Sequence, residues 1–329
     1  MSTAKVTPLN PTRRNRALVA AVVGAMYAVS CYAFLVGHGP TMQAVDFTYP
    51  WLAARFVFHG VDPYIAMRTA VTPFQPVFFY PLPAAFFALP IAWLPAQGAA
   101  AIFIGLSGGW LAYALSLNGW WRLLVFASAP GFSAANSAQW SPLLVAAALT
   151  PAAAWLLMAK PNIALPLLAY QTARRPFVVA TVGSALLCVA AFIVLPHWPF
   201  EWLATIRAGA SIAKQYRSPI ATWYGLPLVL AGLRWRDRDA RLLLAMACVP
   251  QNFFFYDQLP LLLIARTRQQ LVALCTISAV AYYLAWRYYP FTGSYVALSD
   301  GWMPLVTAGI YWPSLILILR RLRGHSTTL

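Results

Sequence analysis

Acidic side chains are nearly missing from this chain: Asp and Glu total 7 of 329 residues, against 23 Lys and Arg. Charge of either sign is scarce, at 9% of residues, where a soluble domain carries about 25%. A globule of this size cannot coat its surface with so few charges. A soluble enzyme, a disordered chain and a coiled coil are thereby excluded. Cysteine is rare too. Cys31, Cys188, Cys248 and Cys275 all lie in apolar stretches and form no CxxC pair, so they read as small core hydrophobes. No histidine or carboxylate pattern is read as a metal site, and no cofactor is expected. Basic and aromatic residues do not interleave as they do in single-strand binders, so nucleic acid is not an expected partner. The sequence also has no internal repeat, which counts against an inverted-repeat transporter.

What is abundant is apolar: 61% of residues are hydrophobic and 15% aromatic, with a mean hydropathy of +0.65. This composition predicts an all-α polytopic membrane protein. Residues 1–16 read as a basic cytoplasmic tail, 17–319 as the transmembrane domain and 320–329 as a second basic tail. Spans are expected at 17–37, 77–95, 98–117, 122–137, 140–158, 176–195, 219–233, 269–288 and 302–319. The stretch 241–265, broken at Pro250 and carrying Asp257, reads as two half-helices that turn within the membrane. About ten spans result. The first is expected to be a retained signal anchor. Both termini lie inside in this layout, which puts 15 of the 23 basic residues on the inner side.

Two outer loops follow from the charges they contain. The first, 38–76, holds Asp46, Arg55, His59, Asp62 and Arg68, and its aromatic stretch from Phe47 to Phe58 suits a helix lying in the interface. The second, 196–218, holds His197, Glu201, Arg207, Lys214 and Arg217. Asp46, just past the first span, would sit at the rim of a membrane cavity and could serve as a general base; a solvated loop acid is the plainer alternative. Lys160 falls between broken helices, where an unpaired ammonium costs about 2.5–3.5 kcal/mol. A phosphate partner or snorkelling to the interface would offset that. Asp62-Pro63 reads as a turn. Asp257, within an apolar run, either bonds backbone freed by the prolines or approaches a ligand.

Several short stretches resemble a known family. These are Asp46-Phe47-Thr48-Tyr49, Ala54-Arg55 and Gly60-Val61-Asp62-Pro63-Tyr64. Later come Phe79-Tyr80-Pro81-Leu82-Pro83, Gln139 with Pro142-Leu143-Leu144, Lys160-Pro161-Asn162 and Tyr256-Asp257. In order and spacing they resemble the motifs of glycosyltransferase family 87, of the C-type superfamily of membrane glycosyltransferases. Two departures stand out. Ala138 occupies the place of a Gly before Gln139, and Asn162 that of a Gln.

The resemblance implies inverting transfer of mannose or a related sugar from a polyprenyl-phosphate carrier to a lipid or glycan acceptor. The transfer would occur at the non-cytoplasmic face of a bacterial inner membrane, with Asp46 as the base. A departing lipid phosphate needs cations more than an acid. Lys160, Arg55, Arg207, Lys214 and Arg217 are therefore the candidates for it. Tyr49, His59, Asp62, Tyr64, Tyr80, Gln139, Asn162 and Asp257 are candidates for the sugar or the acceptor. A lipid-linked sugar transporter or flippase is the alternative function.

Overall fold

The computed structural model describes residues 12–38, 46–69, 77–209, 217–251, 253–292 and 295–321. Among the described residues the chain is all-helical. Only one isolated β-bridge, between Arg217 and Gln251, interrupts the pattern. Five helices are long and apolar enough to cross a membrane: Arg13–Gly37, Ala96–Asn118, Arg174–Val194, Arg268–Tyr288 and Ala297–Arg320.

In chain order the α-helices are α1 (Arg13–Gly37), α2 (Thr48–Phe58), α3 (Pro63–Thr69), α4 (Pro83–Phe86), α5 (Ala96–Leu115), α6 (Ala129–Asn136), α7 (Ser141–Leu149) and α8 (Pro161–Ala169). They continue with α9 (Arg174–Val194), α10 (Trp198–Ala208), α11 (Arg238–Cys248), α12 (Arg268–Tyr288), α13 (Tyr295–Val306) and α14 (Trp312–Arg320). Between α13 and α14 lies a single π-helical turn, Thr307–Tyr311.

The spans expected at 77–95, 122–137, 140–158 and 219–233 are built instead from short α and 3-10 pieces. The 3-10 helices include Trp120–Ala127, Pro151–Ala159 and Leu226–Arg234. Proline explains the fragmentation. The chain has 26 prolines, and α4, α6, α7, α8 and the 3-10 helices from Pro151 and Leu226 all carry one in their first two positions. Proline supplies no N–H and restricts the residue before it, so it starts helices readily and ends the preceding one. The expected pair of half-helices over 241–265 takes the form of α11 and a 3-10 helix, Phe255–Ile264.

α1 and α5 run antiparallel and pack closely through small residues. A Cβ added at Gly24 would stand 2.7 Å from the Gly105 carbonyl oxygen, and one at Gly109 would stand 2.9 Å from that of Ala20. Close backbone approach of this kind is how helices associate in lipid. Gly105 and Gly109 thus serve packing. At one end, Arg16 donates to the Tyr113 carbonyl and the Ser116 hydroxyl at 2.7 and 3.1 Å. Tyr27 and Ser30, farther along α1, reach Gly131 and Asn136 of α6. Gly24→Leu should therefore wedge α1 from α5 and lower stability by about 1–3 kcal/mol, read as a drop in the unfolding temperature of the detergent-solubilised protein.

Basic residues expected to flank the spans also hold the fold. Asp237 and Asp239 open α11, and the Arg266 and Arg321 guanidinium groups bind both carboxylates. Arg122 and Arg321 donate to the carbonyls of Ala265 and Ile264 at 2.6 Å each. Asp237 and Asp239 have the one-residue spacing that can hold a cation, a pattern the sequence reading passed over. Arginine occupies both acids, and no group of metal-ligating residues is found among the described residues.

Candidate active site

Lys160 is the residue between the 3-10 helix Pro151–Ala159 and α8. Pro161 keeps it extended, with φ −142° and ψ 87°, so its side chain leaves the helical path at the break. Asp257 stands in the first turn of Phe255–Ile264. Asp46 lies in the turn ahead of α2. These three side chains, far apart in sequence, meet. The Lys160 Nζ donates to Asp46 Oδ2 at 2.6 Å and to Asp257 Oδ1 at 2.9 Å. Two carboxylates share one ammonium, which leaves the cluster one negative charge in excess. Side-chain exposure rises from 5% at Asp257 through 11% at Lys160 to 23% at Asp46. Asp46 is therefore the member that a ligand can reach.

This geometry revises the expectation for Lys160. Its burial is compensated by carboxylates of the chain itself, so it needs neither phosphate nor snorkelling. A phosphate approaching Lys160 would meet two carboxylates, and like charges in a site of low dielectric repel strongly.

The other motif stretches converge on the same place. Ser141 Oγ donates to the Tyr256 carbonyl at 2.6 Å, and the Tyr256 ring centroid lies 5.9 Å from Lys160 Nζ. Phe47, next to Asp46, stacks on Phe103 at 4.0 Å and tilts against Trp140 at 6.0 Å. Tyr80 is half-buried, with its ring 6.2 Å from that of Trp140. Gln139 and Trp140 are both buried. Gln139 Oε1 and Trp140 Nε1 have no hydrogen-bond partner among the described residues.

Ala138 accounts for one departure from the family pattern. It sits past the end of α6 with φ +42°, a left-handed conformation that costs an L-residue roughly 1–2 kcal/mol and glycine little. A glycine belongs there on physical grounds. Ala138→Gly should therefore be neutral to stabilising by up to about 1 kcal/mol, once glycine's greater freedom in the unfolded chain is counted. Thermal unfolding of the purified protein measures it.

The remaining candidates divide. Tyr64 is 1% exposed, and its hydroxyl donates to the Tyr80 carbonyl at 3.0 Å. Burial, followed by the charge of Asp62, pushes this phenol well above its usual range. It stays a neutral donor that braces the loop and is not open to a sugar. Asp62 Oδ1 accepts from the backbone N–H of Tyr64 at 2.8 Å and of Ile65 at 3.4 Å. It caps α3, as the turn reading has it. Arg55 is exposed and lies over the Trp51 ring at 5.0 Å, away from Asp62.

His59 is exposed at the end of α2, and Arg207 is exposed on α10. Arg217 is exposed, and its carbonyl accepts from the Gln251 N–H at 3.2 Å. Tyr49 is half-buried against the core, and Asn162 is half-buried in the first turn of α8. Lys214 lies outside the described residues.

One link went unread in the sequence. Arg68 on α3 pairs with Glu201 on α10 at 3.3 Å, and Trp202 Nε1 donates to the Phe79 carbonyl at 2.9 Å. The two loops that carry these residues are therefore joined. Opposite charges in separate loops were the only available signal, and nothing in sequence spacing pairs them.

In comparisons with known protein families, curated proteins and solved structures, nothing matches this chain.

Proposed function

We propose that this chain is a membrane glycosyltransferase. It takes a sugar, mannose or a relative, from a polyprenyl-phosphate carrier and transfers it with inversion to a lipid or glycan acceptor. The observation that carries this reading is the meeting of Asp46, Lys160 and Asp257, each from a different motif stretch, in one ion cluster with Asp46 at its accessible end. In the reaction, the acceptor hydroxyl oxygen donates an electron pair to the anomeric carbon. The carbon–oxygen bond to the carrier breaks, and its electron pair leaves with the polyprenyl phosphate. The hydroxyl proton passes to the Asp46 carboxylate and from there to solvent. Because Lys160 is occupied, stabilisation of the departing phosphate falls to the other cations, Arg55, Arg207, Lys214 and Arg217. Asp257 belongs with the ion cluster. Tyr80, Gln139 and Asn162 remain the candidates for hydroxyl contacts.

The broken helices fit a layout of about ten crossings. Trp120–Ala127 with α6, and α7 with Pro151–Ala159, each have a contour of roughly 30 Å, because a 3-10 helix rises about 2.0 Å per residue against 1.5 Å in an α-helix. That matches the hydrocarbon thickness of a bilayer. Irregular backbone at membrane depth is tolerated where it is buried in protein. With the basic residues inside, the site faces the non-cytoplasmic side, and a bacterial inner membrane is the setting the family resemblance implies.

A transporter or flippase for a lipid-linked sugar is favoured by one feature. A buried carboxylate–ammonium–carboxylate cluster with an excess negative charge is also a site for proton uptake. One experiment separates the two readings. The purified protein in liposomes is given synthetic polyprenyl-phosphate mannose and a bacterial lipid extract. A new glycolipid detected by mass spectrometry supports transfer. Movement of the donor across the bilayer without product supports transport and overturns the transferase.

A further inference from the structure

Lys160 poses a difficulty for a base at position 46. An ammonium held 2.6 Å from a carboxylate competes directly with the proton that carboxylate is meant to accept. If Asp46 owned Lys160 alone, the pair would be neutral, and its attraction for an acceptor proton would be largely cancelled. Asp257 changes this arithmetic. It binds the same Nζ from the buried side at 2.9 Å, so the cluster keeps one net negative charge. That charge is free to move towards whichever carboxylate a proton approaches.

We propose that Asp257 and Lys160 are positioning residues which together keep Asp46 a competent base. Lys160 fixes the orientation of Asp46, and Asp257 cancels the electrostatic cost of that fixing. The proposal rests on the transferase reading and deepens it.

The surroundings support this assignment. Asp257 is nearly inaccessible, so it is poorly placed to touch substrate itself. The other titratable groups facing the cluster are the phenols of Tyr256, Tyr80 and Tyr311, which are neutral at ordinary pH. The net charge is therefore set by the three residues alone. Its bookkeeping is −1 in the natural protein, 0 in Asp257→Asn, −2 in Lys160→Gln, and −1 again in the double variant.

A network below Asp257 fixes it in place. Tyr311 donates to Gln258 Oε1 at 2.7 Å, Gln258 Nε2 donates to Gln251 Oε1 at 2.9 Å, and Gln251 Nε2 donates back to the Tyr311 hydroxyl at 2.9 Å. This closed ring of three buried side chains ties the residue after Asp257 to the π-helical turn. The carboxylate is thus held by backbone that is itself pinned, as a tuning group requires.

The test is a double-variant cycle on the full chain in liposomes, with synthetic polyprenyl-phosphate mannose as donor and a bacterial lipid extract as acceptor source. Asp257→Asn should lower kcat about 100-fold with KM for the donor little changed, the scale of losing general-base catalysis. Adding Lys160→Gln should raise kcat at least about tenfold above Asp257→Asn, because the second change removes the cation that disables Asp46. A purely structural role predicts the opposite, since two lesions in one buried network are no better than one.

Chromatographic monodispersity in detergent identifies any variant that fails to fold. Asp257→Glu, which keeps the charge, is read beside them and should retain more activity than Asp257→Asn. A double variant no more active than Asp257→Asn, or an Asp257→Glu no better than it, overturns the proposal while leaving the transferase reading intact. The transferase reading falls separately, if the natural protein makes no product.

Discussion

Asp46→Asn is expected to reduce sugar transfer by at least about 100-fold, within the range that a positioned general base contributes, while the protein still folds and inserts. Asn keeps the shape of Asp and a carbonyl oxygen that can accept from Lys160, and Lys160 retains Asp257 as its ionic partner at 2.9 Å. The buried ammonium is therefore never left alone, and stability should change by no more than about 1–2 kcal/mol. What is lost is the charge. An amide cannot take the hydroxyl proton, so the acceptor oxygen must attack while still protonated. The measurement is initial rate with a purified lipid-linked sugar donor, beside the detergent melting curve. Normal turnover would remove Asp46 from the chemistry.

The largest expected effect on stability comes from the other side of the same pair. Lys160→Met takes away the cation between two carboxylates that both lie within 3 Å of it. Breaking a buried ion pair by removing one partner costs about 3–5 kcal/mol, because the remaining charge is left uncompensated. Here two charges are left, and they repel each other. A detergent melt should show a correspondingly large loss of unfolding temperature. Lys160→Arg keeps the charge and should lose much less, although a planar guanidinium cannot reproduce the two contacts of an ammonium. If Lys160→Met melted like the natural protein, the three side chains would not be in contact.

The two expectations interlock. Asp46 is dispensable for folding and needed for transfer, whereas Lys160 is needed for folding. A chain in which these residues merely faced solvent would show neither effect, since exposed pairs contribute about 0–1 kcal/mol. Measuring both variants therefore tests the cluster through two unrelated observables.

Much of the site was legible as a set of residues and little of it as an arrangement. Asp46, Lys160 and Asp257 stand out in the sequence because charge is so rare in it, and each lies in or beside an apolar run. Position alone left Lys160 with either an external anion or the membrane interface to offset its charge. Its partners proved to be acids 114 and 97 residues away, and no local periodicity encodes such separations. Asp62-Pro63 was readable as a turn because an Asx cap is a local hydrogen bond between near neighbours. Tyr64 was misjudged for the complementary reason. The family resemblance makes it a candidate for a sugar contact, but its burial against Tyr80 depends on how the loop folds back. Arg55 and Asp62 carry opposite charges seven residues apart, yet the loop directs one over Trp51 and the other into a helix cap.

By itself the sequence determined the solvent of this protein and the approximate course of the five long apolar helices among the described residues. Hydropathy and flanking arginines act through composition, which does not depend on which segments later touch. Many of its prolines likewise marked where helices start. Only the tertiary structure decided that Ser141 and Lys160 meet Tyr256 and Asp257, that Arg266 and Arg321 close on Asp237 and Asp239, and that two distant acids share one lysine. A buried charge must find its counter-charge, and which one it finds depends on three-dimensional packing, not on spacing along the chain.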